Sequence, residues 1–339
     1  MTPPAKRPKS LFMKQLPRAT IHLSNIVSNW QALDGLHPGA TTAAVVKADA
    51  YGLGAVPVAR ALLRSGCSTF FVAYLEEALA VRKALGLGPR IFVLNGPTRK
   101  EMSAYIAAGI TAVLSSPDHL KAWANAPKGT SALHFDTGMN RLGLKAAALA
   151  TTLTDLQRLQ PVLVMSHLAC ADETGNAMST AQLKAFDDIA SAFPDTPASL
   201  ANSAGCYLGK GFGYDLIRPG IGLYGGSLPP KGLRTKQALT LDAAILSVFE
   251  GKAGETVGYG ATQTLQQNTQ LATVGIGYAD GPRTGGNNLV AYLDDVPCPV
   301  VGRISMDLTT IDVSKAQDKA KTGARVEFIG EHAKLEDQA

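Results

Sequence analysis

Residues 43–94 read AAVVKADAYGLGAVPVARALLRSGCSTFFVAYLEEALAVRKALGLGPRIFVL. Three short apolar or β-branched runs, at 43–47, 69–73 and 91–94, flank two Ala/Leu-rich stretches at 56–64 and 75–85. Leu62, Leu63, Leu79 and Leu85 fall at helical spacings within those stretches. The segment therefore reads strand–helix–strand–helix–strand, with crossovers long enough for parallel pairing. The same rhythm continues outward. Further strands are expected at 111–114, 131–136, 162–166, 198–201 and 216–218, and helices at 100–108, 118–125, 145–159 and 178–193. Pro117 marks the start of one of these helices. Eight strands with helical crossovers over about 200 residues match a (β/α)8 TIM-type barrel. An open doubly wound sheet is the other arrangement of such units. Its dinucleotide form needs G-x-G-x-x-G after the first strand, and that turn is missing.

The pattern changes near residues 233–237. Beyond it come short strand-like runs, 244–249, 271–276, 289–292, 309–313 and 325–329, between glycine-rich turns. The fold class is thus α/β: an N-terminal barrel over 15–235 followed by a mostly β C-terminal domain over 236–339. Residues 1–14 read as a basic, frayed leader whose apolar stretch, Leu11 to Met13, is too short for a signal-peptide core. The last residues, 334–339, start a helical pattern that stops without a capping glycine, and the chain is expected to be truncated there.

The 339 residues are 46% hydrophobic and 17% charged, which excludes a disordered chain and provides for a sizeable core. No apolar run is long enough for a membrane span. The net charge of +5 is partly concentrated in the leader, and no basic block with interleaved aromatics points to nucleic acid. Cys67, Cys170, Cys206 and Cys298 are sparse and form no CxxC, so reduced thiols without a disulfide or a structural metal are expected.

The ends of the predicted barrel strands carry Lys47, Asp136, His167, Asn202, Ser203 and Arg218. In a barrel, that end lines the active site. Taken alone, Lys47 is more often a lysine whose stem lets the ammonium reach water. Its setting favours more: it closes a buried strand, where burial lowers an amine's pKa and frees it for imine chemistry. A glycine-punctuated loop, Ala48 to Gly54, follows. After the seventh and eighth strands come Asn202-Ser203-Ala204-Gly205 and Arg218-Pro219-Gly220-Ile221. Each reads equally as an ordinary turn. Barrels, however, often bind phosphate with the loops after strands 7 and 8. A lysine for imine chemistry together with a phosphate cradle points to pyridoxal 5′-phosphate.

With these residues in place, the sequence resembles the alanine racemases. Val45-Val46-Lys47-Ala48-Asp49-Ala50-Tyr51-Gly52-Leu53-Gly54 looks like their cofactor-lysine motif. The likeness continues, in order, through 136–143, 166–169, 201–204, 218–225, 257–260, 277–281 and 302–307. It implies that Lys47 holds pyridoxal 5′-phosphate as an internal aldimine and acts as base on one face of the substrate, with Tyr259 as base on the other. His167 would support Tyr259 and partner Arg218, which would face the ring nitrogen. Tyr51, Asn202, Ser203, Gly220 and Ile221 would hold the cofactor, largely by its phosphate. Arg141 and the Met306 backbone would bind the substrate carboxylate, and Tyr278 would gate the entrance. The resemblance further implies alanine as substrate, a cytoplasmic homodimer whose sites are completed in trans, and D-alanine supply for peptidoglycan. Two departures stand out. His134 occupies the place of a carbamylated lysine found in some members, and Ser305 stands where cysteine is common.

Other readings are weaker. Asp136-Thr137-Gly138 resembles one half of an aspartic-protease site, but a second half is missing and the alternation opposes an all-β protease. His167, Cys170 and Asp172 match metal-ligand types without a further ligand group near in sequence. A non-catalytic cofactor-homeostasis barrel would need no β domain and no Tyr259, and a related decarboxylase fits Tyr259 and Arg218 less well. A racemase of broader side-chain specificity stays open.

Overall fold

A computed structural model describes residues 16–124, 129–226, 235–282 and 289–334. The expected leader at 1–14 and all but Lys334 of the helix start expected at 334–339 lie outside the described residues. The described residues divide into two compact units: those within 23–238, and residues 16–22 together with those from 239 to 334.

In the first unit a parallel sheet runs in the order Ala44–Val45, Thr69–Val72, Arg90–Val93, Thr111–Leu114, Ser131–Asp136, Val164–Met165, Ala198–Ser199. Leu216–Ile217 pairs in parallel with Thr41–Thr42. Backbone hydrogen bonds join the sheet's two ends through this strand. The Asp215 and Arg218 N–H groups donate to Ala198 and Ala201, and those of Ala43 and Val45 donate to Ile217 and Pro219. With 41–45 as one strand, eight strands close on themselves, as the repeat of strand and crossover predicts.

Near-continuous apolar runs arise because both faces of each strand are buried. Ala44, Phe70, Val72, Ile91, Val93, Ala112, Leu114, Leu133 and Phe135 pack in the cluster that includes the helices. Their alternating neighbours Ala43, Val45, Phe71, Phe92, Val113, Ala132, Met165 and Leu216 fill a separate cluster, the barrel interior. The Phe71 and Phe92 rings stack there at 4.6 Å.

Helices begin where local chemistry dictates. Ser116 accepts the His119 N–H at 3.1 Å and Pro117 takes the first position of Pro117–Trp123. Asn176 caps Ala177–Ser191 through the Met178 N–H. The helix expected at 145–159 is shorter. Lys145 belongs to a two-residue strand, a 3-10 turn follows, and the helix proper is Leu149–Arg158. One helix, Leu23–Asp34, escaped the sequence reading, although Ile26, Trp30 and Leu33 recur at helical spacing and are buried.

The second unit is a mostly antiparallel sheet around the long strand Leu239–Gly251. One part of that strand pairs with Arg325–Ile329 and Arg18–Ile21, the other with Thr269–Val274, across a register shift. Residues 16–22, expected to open the barrel, therefore belong here instead. Their strand donates and accepts within this sheet, and buried Asp242 takes both Arg18 and Arg325. Val296–Pro299 is a further strand beyond those expected. Its two prolines are tolerated because it lies at a sheet edge.

Candidate active site

All parallel strands of the first unit point the same way, so the polar residues that follow them share one mouth. Each also has the inward phase. Lys47 lies two residues beyond interior Val45, His134 two beyond Ala132, His167 two beyond Met165, and Arg218 two beyond Leu216.

Lys47 opens an unusual turn. Ala48, Asp49, Ala50 and Tyr51 all have φ between 51° and 58°, four consecutive left-handed residues without a glycine. Each such residue costs roughly 1–2 kcal/mol, and strain of this kind persists only where surroundings enforce it. The enforcing bonds are visible. The Ala50 N–H donates to Val46 O, Gly52 to Ala48 O and Gly54 to Asp49 O. The Asp49 carboxylate accepts the Ala55 N–H at 2.6 Å, and the Glu77 carboxylate accepts that of Ala48 at 2.6 Å. Burial, reinforced by the Arg141 charge, lowers the Lys47 pKa against the opposing pull of Glu77.

At the other end of the turn, Tyr51 reaches Gly220. A β-carbon at position 220 would meet the Tyr51 hydroxyl, and would also press on Val45. The Tyr51 ring packs on Tyr224 at 4.8 Å, and Tyr224 donates to Val45 O. Burial raises the Tyr51 pKa, so the phenol keeps its proton and remains a donor. Buried Ser203 accepts the N–H groups of Gly220 and Gly222 at 2.8 and 3.0 Å. Its own proton is left to donate. Ile221 begins the 3-10 turn Ile221–Tyr224, so its N–H has no partner within that turn. The expected free Gly220 N–H is thus taken by Ser203, while the Ile221 N–H and the Ser203 and Tyr51 hydroxyls form a set of donors. Such a set suits a phosphate. Asn202 lies beside this cradle, with its amide bonded to the Gly205 N–H and Leu168 O.

Arg218 is buried and its partners are neutral: Ser199 Oγ, Ser166 O at 2.5 Å and Leu200 O. Desolvation brings its pKa down to about 10, which leaves it charged. The expected bond between Arg218 and His167 is replaced by these, and Arg218 acts on His167 through its charge. Burial first, then Arg218 and Arg141, hold His167 well below its ordinary range. The same causes push His134 down to about 3, against the opposing pull of Asp136. Both imidazoles are neutral in the physiological range.

Asp136 ends its strand as a buried carboxylate. It accepts the N–H groups of Gly138 and Asn140, and Lys145 reaches its other oxygen at 2.6 Å. Lys145 also donates to Asn140 Oδ1. These bonds shape the loop that carries exposed Arg141. Among the described residues no cluster of His, Cys, Asp and Glu could hold a metal.

Sequence reasoning missed several supporting side chains. Fully buried Gln182 donates to His167 O and Thr137 Oγ1 and accepts the Ala169 N–H. Its signal was a polar residue within the buried stripe Ser179, Gln182, Phe186, Ile189. Ser199, Glu77 and Lys145 were also passed over. Their importance depends on partners distant in sequence or across a loop.

In the second unit, Tyr259 is 71% exposed on the 3-10 turn Tyr259–Ala261, flanked by Gly258 and Gly260 at φ 77° and 74°. Gly258 packs against the backbone of Arg303. Tyr278 N–H donates to Ser305 O and Ala279 N–H to Met306 O, so Tyr278 and Met306 sit on joined loops. Both are exposed, as is Leu308.

A closed parallel barrel whose strand ends gather Lys47, His134, His167 and Arg218 at one mouth has the organisation of a barrel enzyme. Comparisons give the family. The family described as "Alanine racemase, N-terminal domain" matches residues 21–228, and "Alanine racemase, C-terminal domain" matches 238–339. An alanine racemase of Rhodospirillum rubrum is 45% identical over 324 residues, 92% of this chain and 86% of that protein. The crystal structure of alanine racemase from Bartonella henselae, with covalently bound pyridoxal phosphate, superposes with a TM-score of 0.87 at 34% identity. That match covers 94% of this chain and 91% of the other. The biosynthetic alanine racemase of Pseudomonas aeruginosa gives 0.88 at 33% identity, covering 96% and 93%.

The chain belongs to the alanine racemase family. It is accordingly a racemase, an isomerase acting on an amino acid.

Proposed function

We propose that this chain interconverts L-alanine and D-alanine with pyridoxal 5′-phosphate, using Lys47 and Tyr259 as bases on opposite faces of the substrate. The observation that carries the reading is one shared mouth. It joins an amine whose pKa is lowered by burial and Arg141 to the donor cradle of Tyr51, Ser203 and Ile221. The donor set fits the cofactor: an amine for its aldehyde, three neutral donors for its phosphate, and Arg218 for its ring nitrogen.

When bound, the cofactor supplies an electron sink that makes the substrate's α-proton acidic. The residues do the rest. Lys47 moves a proton at the α-carbon on one face, which requires its amine to be neutral during that step. Tyr259 moves a proton on the opposite face, so the configuration inverts. A tyrosine ordinarily titrates near 10, and neutral His167 supports it as a proton acceptor. Arg218 can only donate, so it leaves the ring nitrogen unprotonated and tempers the electron sink. Arg141 and the Met306 backbone hold the substrate carboxylate. Tyr278 narrows the entrance and favours a methyl side chain.

Tyr259, Tyr278 and Met306 belong to the second unit, and we assign them to the active site of the partner in a homodimer. No helix among the described residues is long and apolar enough to cross a membrane. We place the enzyme in the cytoplasm, supplying D-alanine for peptidoglycan.

The test is a circular-dichroism time course with the cofactor and L-alanine, L-serine or L-lysine. Optical activity should decay with L-alanine and persist with Lys47→Ala. Persistence with the wild-type chain would overturn the reading.

A further inference from the structure

Glu77 lies on the helix Leu75–Leu85, near its start. One of its oxygens caps that helix in the ordinary way, accepting the N–H groups of Ala73 and Tyr74 at 2.7 and 3.2 Å. The other oxygen leaves the helix. It accepts the Ala48 N–H at 2.6 Å, 29 residues away, at the first residue of the left-handed turn. A capping residue needs only the first set of bonds.

We propose that Glu77 is a positioning residue for Lys47: its carboxylate pins the left-handed turn that presents the lysine and Tyr51, and places a negative charge within reach of the lysine amine. The inference rests on the racemase reading above. The hydrogen-bond geometry carries the first part. Ala48 directly follows Lys47, so fixing its N–H fixes the backbone from which the lysine side chain leaves. The charges around Lys47 come from several elements. Arg141 enters from the loop after Ser131–Asp136, and neutral His167 from the loop after Val164–Met165. Asp49 and Tyr51 share its own turn, where the Asp49 carboxylate is committed to the Ala55 N–H. Glu77 is the carboxylate that counters Arg141 at the amine.

Two variants separate geometry from charge. Glu77→Gln keeps the size and removes the charge. Adding Ala48→Gly makes the left-handed conformation accessible without strain. Three quantities are measured in the full chain: cofactor dissociation constant, the pH midpoint of kcat, and the pH midpoint of Lys47 labelling by acetic anhydride in cofactor-free protein. Glu77→Gln should weaken the cofactor about tenfold and move both midpoints down by about half a unit. Ala48→Gly in that background should restore cofactor affinity and leave the midpoints low. Wild-type midpoints and affinity in Glu77→Gln would overturn the proposal. So would a double variant that restores the midpoints along with affinity, since the charge would then have no role. A wild-type chain without racemisation would defeat the functional reading instead, and the labelling midpoint would still decide the role of Glu77. Should Glu77→Gln fail to fold, Glu77→Asp, which keeps the charge but shortens the reach, must lose affinity while holding the labelling midpoint.

Discussion

The Asp136 carboxylate is buried, while the Lys145 ammonium that pairs with it at 2.6 Å is largely exposed. The two stand opposite each other in a short parallel ladder, so the ion pair closes the loop between them, and that loop carries Arg141. Burial would raise the Asp136 pKa, but the bonds from Lys145, Gly138 and Asn140 prevail and hold it below 3.8. Lys145→Met should loosen the loop and raise KM for alanine roughly threefold to tenfold, with a smaller change in kcat. The stability that the depressed carboxyl contributes is complete above its unfolded value and is lost as pH falls through the folded one. Urea unfolding should therefore show the variant's deficit at neutral pH and its disappearance in acid. An unchanged KM would separate the pair from substrate binding.

Lys47 weighs on the fold. Its folded pKa is lowered, so the charged amine opposes folding at low pH, and that opposition fades as pH rises through the folded value and is gone above the unfolded one. Lys47→Met, stripped of cofactor, should melt higher than the equally stripped wild type at pH 7. The gap should shrink towards pH 11. Thermal scans at both pH values decide this, and a lower melting point for the variant at pH 7 would contradict it.

Gly220 is required for space, since a β-carbon there would meet the Tyr51 hydroxyl. Gly220→Ala should displace the Tyr51 hydroxyl and weaken pyridoxal 5′-phosphate binding about tenfold or more. Equilibrium dialysis measures the loss. Tyr51→Phe in the same background should then add little, because the hydroxyl has already left the cradle.

The proposed completion of the active sites in trans makes a specific demand on mixtures. Lys47→Ala and Tyr259→Phe homodimers should each be nearly inactive. After unfolding and refolding together in equal amounts, half the dimers are hybrids with one intact site in two, and about a quarter of wild-type activity should return. Sites built within one subunit would give no recovery.

Ser199 links Arg218 to Leu216 O by accepting from one and donating to the other. Ser199→Ala leaves a buried guanidinium donor and a buried carbonyl unpaired, at a cost of about 1–3 kcal/mol. Urea denaturation should report it, and a neutral result would mean that water or a rearrangement fills the gap.

The strand-and-crossover rhythm and the barrel were legible in the sequence because buried parallel strands are apolar on both faces and crossover helices are long. The alternation of Ala43, Val45 and Lys47 against Ala44 and Val46 already places the lysine on the inward face. Lys47, Asp136, His167 and Arg218 could be named for the same reason: a polar residue closing an apolar run has few structural uses. Tertiary structure decided what no local pattern encodes. The turn after Lys47 is left-handed without glycine, because Glu77 pins it from outside its own sequence and Asp49 ties it to the Ala55 N–H beyond it. Arg218 bonds to Ser199 and Ser166 rather than to His167, because the curvature of the closed ring brings those strands together. Residues 16–22 joined the β unit, since strand pairing rewards backbone hydrogen bonds to a partner more than two hundred residues away, which no window of sequence reports.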